Sequence, residues 1–253
     1  MANTPLYDDG QHRNVMLEDF GLGGLAVQAN QHLIIHRGEG MILDPGGHKV
    51  YSRALAETTS ELGSTQLRYI FLSHQDPDIV AAINGWLMTT DADAYAPSVW
   101  TRFVAHFGLD HLVEERLKPI PDEGMRLDLG GTDIILLPAH FLHAAGNVQV
   151  YDPVSKILYS GDLGASLGQN YRVAENFDQH LRYMEGFHRR YMPGNAAMRA
   201  WADMVSELEI DLIAPQHGAL LCGEEMVSRF IEWCSELSCG MDILTDLYKV
   251  PKA

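Results

Sequence analysis

The sequence predicts an α/β protein in which two sheets are sandwiched by helices. Short apolar runs bounded by glycine and proline alternate with stretches of helical spacing. A strand-rich segment followed by a mixed one occurs twice in order along the chain. The first strand-rich segment runs from Val15 to Asp44, where Leu25-Ala26-Val27, Leu33-Ile34-Ile35 and Met41-Ile42-Leu43 read as an antiparallel meander ending at Asp44-Pro45-Gly46-Gly47. From about His48 to Leu62, Val50, Ala54, Leu55 and Thr58 recur at helical spacing, and Tyr69-Ile70-Phe71-Leu72 follows as a buried strand. A polar turn, Ser73-His74-Gln75-Asp76-Pro77-Asp78, separates that strand from a helical run over Ile79 to Leu87. Ala94 to Ala96 is a short strand, Val99 to Phe107 a helix, and Thr132 to Leu137 a strand.

In the second half, Val148 to Tyr151 and Ile157 to Tyr159 flank the turn signal Asp152-Pro153 and pair as a hairpin. Phe177 to Glu207 reads as helical and rich in Met and aromatic residues. Ile210 to Ala214 is a strand stopping at Pro215-Gln216-His217-Gly218, and Glu224 to Leu237 is a closing amphipathic helix.

With 253 residues, 46% hydrophobic and 21% charged, the chain can bury a full core, and no Ser/Gly linker divides it, so residues 1–253 are expected to form a single domain. Its 34 Asp+Glu against 18 Lys+Arg give a formal charge of −16, which repels a nucleic-acid backbone or an anionic membrane surface. No apolar run approaches the roughly 18 residues of a membrane span, and Met1 to Gln11 lacks a basic-then-apolar secretion pattern, so a cytoplasmic location is expected. Cys222, Cys234 and Cys239 form no CxxC pair and are expected as free thiols.

Residues able to bind metal gather at strand ends: His74, Asp76 and Asp78 after one strand, His140 and His143 after another, Asp162 after a third and His217 after a fourth. His74, Asp76, Asp78, His143, Asp162 and His217 together supply imidazoles and carboxylates for two metals with one carboxylate shared. This mixture favours iron or manganese over zinc. Asp76-Pro77 also fits a helix N-cap followed by proline at the first helical position, and the two roles are compatible. His140 is open between direct coordination and orienting a ligand. His12, His32, His36, His48, His106, His111, His180 and His188 are read as surface or core residues.

The ordered motifs Asp44-Pro45-Gly46, His74-Gln75-Asp76-Pro77-Asp78, His143, Ser160-Gly161-Asp162 and Pro215-Gln216-His217-Gly218 resemble the metallo-β-lactamase superfamily over about Gly24 to Gly223. Hydrolases of that superfamily have His-x-His-x-Asp-His at the first motif. Here Asp76 stands in place of the second His and Ile79 in place of the last. A carboxylate at the second place is similar to the flavodiiron branch. The signature as a whole, with His143-Ala144-Ala145-Gly146-Asn147 and Tyr151-Asp152-Pro153, most closely resembles the oxygen-binding diiron proteins.

The resemblance implies a four-layer αββα metallo-β-lactamase-like sandwich holding two non-heme iron ions. His74, Asp76 and His143 would hold one iron, Asp78 and His217 the other, and Asp162 would bridge them. It implies dioxygen or nitric oxide as ligand and a role as oxygen sensor or carrier in bacterial chemotaxis signalling, with a signalling protein as partner. It also suggests a homodimer. Two other functions remain: an oxygen or nitric oxide reductase fed by an external flavoprotein electron donor, and a metallohydrolase. With no flavodoxin-like domain and no Gly-rich FMN loop in the sequence, no bound FMN is expected. Met184, Met192, Met198 and Met204, with Phe187, Tyr191 and Trp201, read as core, with a gas channel or dimer face as the alternatives.

Overall fold

A computed structural model describes residues 3–17, 20–21 and 27–251. Its strands are β1 (Thr4–Asp8), β2 (His12–Met16), β3 (His32–His36), β4 (Glu39–Leu43), β5 (Gln66–Phe71), β6 (Asp93–Pro97), β7 (Leu117–Ile120), β8 (Met125–Leu129), β9 (Thr132–Pro138), β10 (Val148–Asp152), β11 (Ile157–Gly161), β12 (Leu212–Pro215) and β13 (Leu221–Cys222). The helices are α1 (Tyr51–Leu62), α2 (Pro77–Val80), α3 (Ile83–Thr89), α4 (Thr101–Val104), α5 (Phe177–Tyr191), α6 (Asn195–Val205), α7 (Glu224–Glu236) and α8 (Met241–Leu244).

Strands β1 to β7 form one sheet in sequence order, antiparallel through β4 and parallel beyond it. The second sheet runs β13-β12-β11-β10-β9-β8, antiparallel except where β11 meets β12. Strand alternation assigns the layers. Met41 and Leu43 of β4, with Tyr69 and Phe71 of β5, meet Ile134, Leu136, Val148 and Val150 of the other sheet in a core between the two. Ile42 and Ile70 point the opposite way, to Ala54, Ile83 and Trp86 of α1 and α3. Beyond the second sheet, Leu158 and Ile213 pack against Met184, Trp201 and Phe230 of α5, α6 and α7. The order helices, sheet, sheet, helices is the expected αββα sandwich. Each fully buried large apolar side chain stabilises it by about 1.5–3 kcal/mol.

Several local expectations need correction. In Leu25-Ala26-Val27, the first two residues lie outside the described residues and Val27 is not in a strand. The run Ile79 to Leu87 is two short helices, α2 and α3, and Val99 to Phe107 keeps only α4 and a 3₁₀ turn. The long helix Phe177 to Glu207 breaks at Met192-Pro193-Gly194 into α5 and α6, because proline lacks a backbone donor and disfavours a helical residue before it. Strands β1, β7, β8 and β13, and the part of β2 before Val15, were not anticipated. Among the described residues no helix is long and apolar enough to cross a membrane.

Candidate metal centre

The six sequence-selected residues come together at one end of the sandwich, five on its loops and Asp78 in α2. His74 follows β5, and its approach is held by Asp44, whose Oδ1 accepts from the Ser73 backbone N–H at 2.8 Å. Burial raises the Asp44 carboxyl to about 6. Asp44 is therefore a structural tether for the His74 turn. Ser73 Oγ lies 2.9 Å from His74 Nδ1. That bond turns Nε2 toward the site, where it is buried without a hydrogen-bond partner.

Asp76 has the extended backbone of an N-cap, with Pro77 starting α2, but its side chain makes no capping bond. Instead Gln75 Nε2 donates to its Oδ1 at 3.0 Å, while Oδ2 lies 3.6 Å from His74 Nε2 and 3.5 Å from His143 Nε2. Asp76 thus occupies the N-cap position without capping the helix through its side chain, which instead faces the two imidazoles.

His143 sits in the loop between β9 and β10. Asn147 pins that loop by donating from Nδ2 to the Leu142 carbonyl at 2.6 Å. The His143 ring stands edge-on to His74, with centroids 4.9 Å apart. Tyr191 at 5.7 Å and Phe187 at 6.3 Å flank its other side.

Asp162 follows β11 and is the hub. Its Oδ2 lies 2.8 Å from His143 Nε2 and 3.7 Å from His74 Nε2, while Oδ1 faces His217 Nε2 at 3.4 Å. Oδ1 is buried without a hydrogen-bond partner. His217 Nε2 is also 3.4 Å from Asp78 Oδ2, and its Nδ1 donates to the Gln28 carbonyl at 2.5 Å. This bond leaves Nε2 free as an electron-pair donor, the arrangement that fixes imidazole ligands. Asn30 holds the His217 loop by donating to the Pro215 and Gly218 carbonyls.

The electrostatics match a cation site. Burial works against charge on His143, yet Asp162 and Asp76 outweigh it and raise the imidazole to about 10. His74 is raised for the same reason. Against the effect of burial, His143 and His74 hold Asp76 well below the usual carboxylate range, and His143 lowers Asp162. Burial leaves Asp78 raised, with His217 opposing. Buried carboxylates of this kind require positive charge, from protons or from metal.

Four of these side chains, His74, Asp76, His143 and Asp162, offer ligand atoms that all lie within 4.8 Å of one another. Asp78 and His217 form the looser second side around Asp162 Oδ1. Two orphaned buried atoms aimed at the centre, His74 Nε2 and Asp162 Oδ1, and this mixed nitrogen and oxygen donor set fit two metal ions sharing one carboxylate. His140 stands apart, its Nε2 bonded to the Asp122 carbonyl at 2.7 Å.

Sequence reading missed the residues that aim the ligands. His188 of α5 is the clearest. Its Nδ1 donates to the Met184 carbonyl and its Nε2 accepts from the Gly164 N–H, both at 2.8 Å. It thereby fixes the turn just after Asp162. At helical spacing with Met184 it reads as core, and nothing in the sequence ties it to a glycine in another loop.

A family model described as ODP family beta lactamase matches residues 27–218. A solved structure of the chemotaxis sensor ODP as a peroxy diiron species shares 39% identity with a TM-score of 0.86, covering 98% of this chain and 100% of that one. The apo state of chemotaxis sensor ODP from T. denticola shares 38% identity at a TM-score of 0.86, covering 97% and 98%. A Nostoc sp. protein named as a diflavin flavoprotein A is 29% identical over 227 residues, 85% of this chain. The chain spans 38% of the length of that relative.

Proposed function

The chain belongs to the ODP family of β-lactamase-fold proteins, and from that premise we propose that it is a non-heme diiron protein that binds molecular oxygen and serves as an oxygen sensor or carrier. Its fold and its nearness to a diiron relative make it an oxygen-related diiron protein in the coarse sense. The finer reading rests chiefly on one observation: Asp162 divides its two carboxylate oxygens between two groups, Oδ2 toward His143 and His74, Oδ1 toward His217.

In this reading His74, Asp76 and His143 hold one iron, Asp78 and His217 the other, and Asp162 bridges. When bound, the reduced iron pair supplies electron density to a diatomic gas. The protein supplies the rest. Ser73 and Gln28 orient His74 and His217, Gln75 turns Asp76 Oδ2 inward, and Phe187 and Tyr191 pack against the His143 ring. Ile79, next to Asp78, is fully buried and offers no donor atom. The Asp78 side is therefore one donor poorer and the more open to a gas molecule. Dioxygen is the proposed ligand, nitric oxide the alternative.

A signalling partner in chemotaxis is supported by the sensor named above. A single domain, a cytoplasmic location, homodimer formation and absence of bound FMN belong to the same proposal. The likeness to a diflavin flavoprotein supports a second reading, an oxygen or nitric oxide reductase with an external flavoprotein donor. Anaerobic reduction followed by oxygen titration, read by optical absorption, separates them. A persistent oxygen-dependent band supports the sensor, and rapid repeated oxygen consumption with a flavoprotein donor supports the reductase. Two zinc ions with ester hydrolysis would refute both.

A further inference from the structure

The turn that carries Asp162 begins where the pairing of β11 becomes irregular. Val150 and Tyr159 are the last residues to pair between β10 and β11, and the register of β11 against β12 shifts between Tyr159 and Gly161. Gly161 then takes a φ of +57°, a conformation that favours glycine, and the Leu163 N–H closes the turn on the Ser160 carbonyl at 3.2 Å. Irregular strand ends of this kind re-aim a side chain. They hold it there only if other groups fix the backbone.

Gln149 does so from inside the protein. In β10 it alternates with Val148 and Val150, which belong to the core between the sheets, so it faces the helix layer, where it is fully buried. Its Nε2 donates to the Ser160 carbonyl at 2.9 Å, and its Oε1 accepts from the Trp201 Nε1–H of α6 at 2.7 Å. An indole N–H only donates, which fixes the orientation of the amide. Burying an amide costs free energy unless its bonds are made, whereas methionine fills a similar space without that demand. The two bonds account for glutamine at this position. Beyond Asp162, Ser160 Oγ donates to the Leu163 carbonyl at 2.5 Å, and His188 takes the Gly164 N–H.

We propose that Gln149 and Trp201 are positioning residues for the shared carboxylate. Trp201 holds the amide, the amide holds the Ser160 carbonyl, and the turn so fixed divides the Asp162 oxygens between His143 and His217. The sequence reads Trp201 as core, and its ring is core, but its N–H acts on the site through Gln149. Because Asp162 Oδ1 faces the looser side of Asp78 and His217, the ion on that side depends most on the turn. The inference rests on the metal reading for the ions, and not for the bonds that hold the turn.

Anaerobic titration of the full chain with ferrous iron against a competing chelator tests it, in the parent, Gln149→Met, Trp201→Phe, the double variant and Val205→Ala. Gln149→Met should raise the Kd of the more weakly held ion at least about tenfold, as loss of an outer-shell partner does. Trp201→Phe should raise it by less, and the double variant should match Gln149→Met, because Trp201 acts through the amide. Val205→Ala opens a cavity elsewhere in α6 and should lower Tm while leaving both affinities within about twofold of the parent. In the metal-free chain, hydrogen exchange of the Leu163 and Gly164 amides should quicken at least about tenfold in Gln149→Met and stay unchanged in Val205→Ala. Parent-like affinity or exchange in Gln149→Met, or an equal loss of affinity in Val205→Ala, overturns the proposal. Should Gln149→Met fail to fold, parent-like affinity and exchange in Trp201→Phe overturn it instead. A parent chain that binds fewer than two irons refutes the metal reading alone, and the exchange rates then decide.

Discussion

On one side of Asp162, His74, Asp76 and His143 converge with it so closely that their ligand atoms lie within 4.8 Å of one another. On the other side only Asp78 and His217 face its Oδ1, each contact to His217 is 3.4 Å long, and the adjacent Ile79 is given over to the core. The first side is set by protein alone, through the bonds of Ser73, Gln75 and Asn147. The second depends on Asp78 of α2 and on His217, which the Gln28 carbonyl holds. In the diiron function proposed above, this asymmetry predicts one strongly held metal and one more exposed, with a gas ligand meeting the latter.

Removing the shared carboxylate should have the largest effect. Asp162→Asn is expected to reduce metal content from two ions per chain to one or fewer, by elemental analysis. The affinity loss should exceed the roughly 10–100-fold that follows loss of an outer-shell partner. Next, His143→Ala and His217→Ala should differ. The first should lose the tight ion and with it the weaker one, leaving none, whereas the second should leave one ion bound, so unequal stoichiometries are the expected outcome and equal ones would remove the asymmetry.

Ile79→Ala should separate packing from coordination. It deletes fully buried methylenes and is expected to cost about 2–5 kcal/mol in chemical denaturation, with metal content unchanged. Acidity offers a subtler contrast. His143 is raised to about 10 when folded and metal-free, above its ordinary value of about 6.5. Its contribution to stability is then complete below about pH 6.5 and is lost as pH rises toward 10. Tm of the metal-free protein should fall over that interval, and metal should abolish this fall because it displaces the proton. Smallest of all, His140→Ala should alter stability by about 0.5 kcal/mol or less and leave metal content untouched, since its ring bonds the Asp122 carbonyl.

The site was more legible in the sequence than the edges of the fold. His74, Asp76 and Asp78 announce themselves because they follow a strongly apolar strand and sit in a turn made by Pro77. His143, Asp162 and His217 likewise end strands or follow them. The sequence placed all six at or just after strand ends, and the structure brings them together. Their partners were not legible, because a bond such as His188 to Gly164 joins loop and helix across 24 positions and leaves no local pattern. In the fold, β8 was overlooked although Met125-Arg126-Leu127-Asp128-Leu129 alternates cleanly between apolar and charged residues, with Leu127 and Leu129 buried. Thr4–Asp8 carries no comparable signal, and pairing with β2 makes it a strand. The break between α5 and α6 was written in Met192-Pro193-Gly194 and hidden by the apolar spacing on either side.

Metal stoichiometry and identity of the protein purified without oxygen, measured by elemental analysis, tests the shared-carboxylate site most directly. Two irons per chain, falling to one or none in Asp162→Asn, are expected. A single metal ion in the parent chain, or two zinc ions that survive Asp162→Asn, would contradict it.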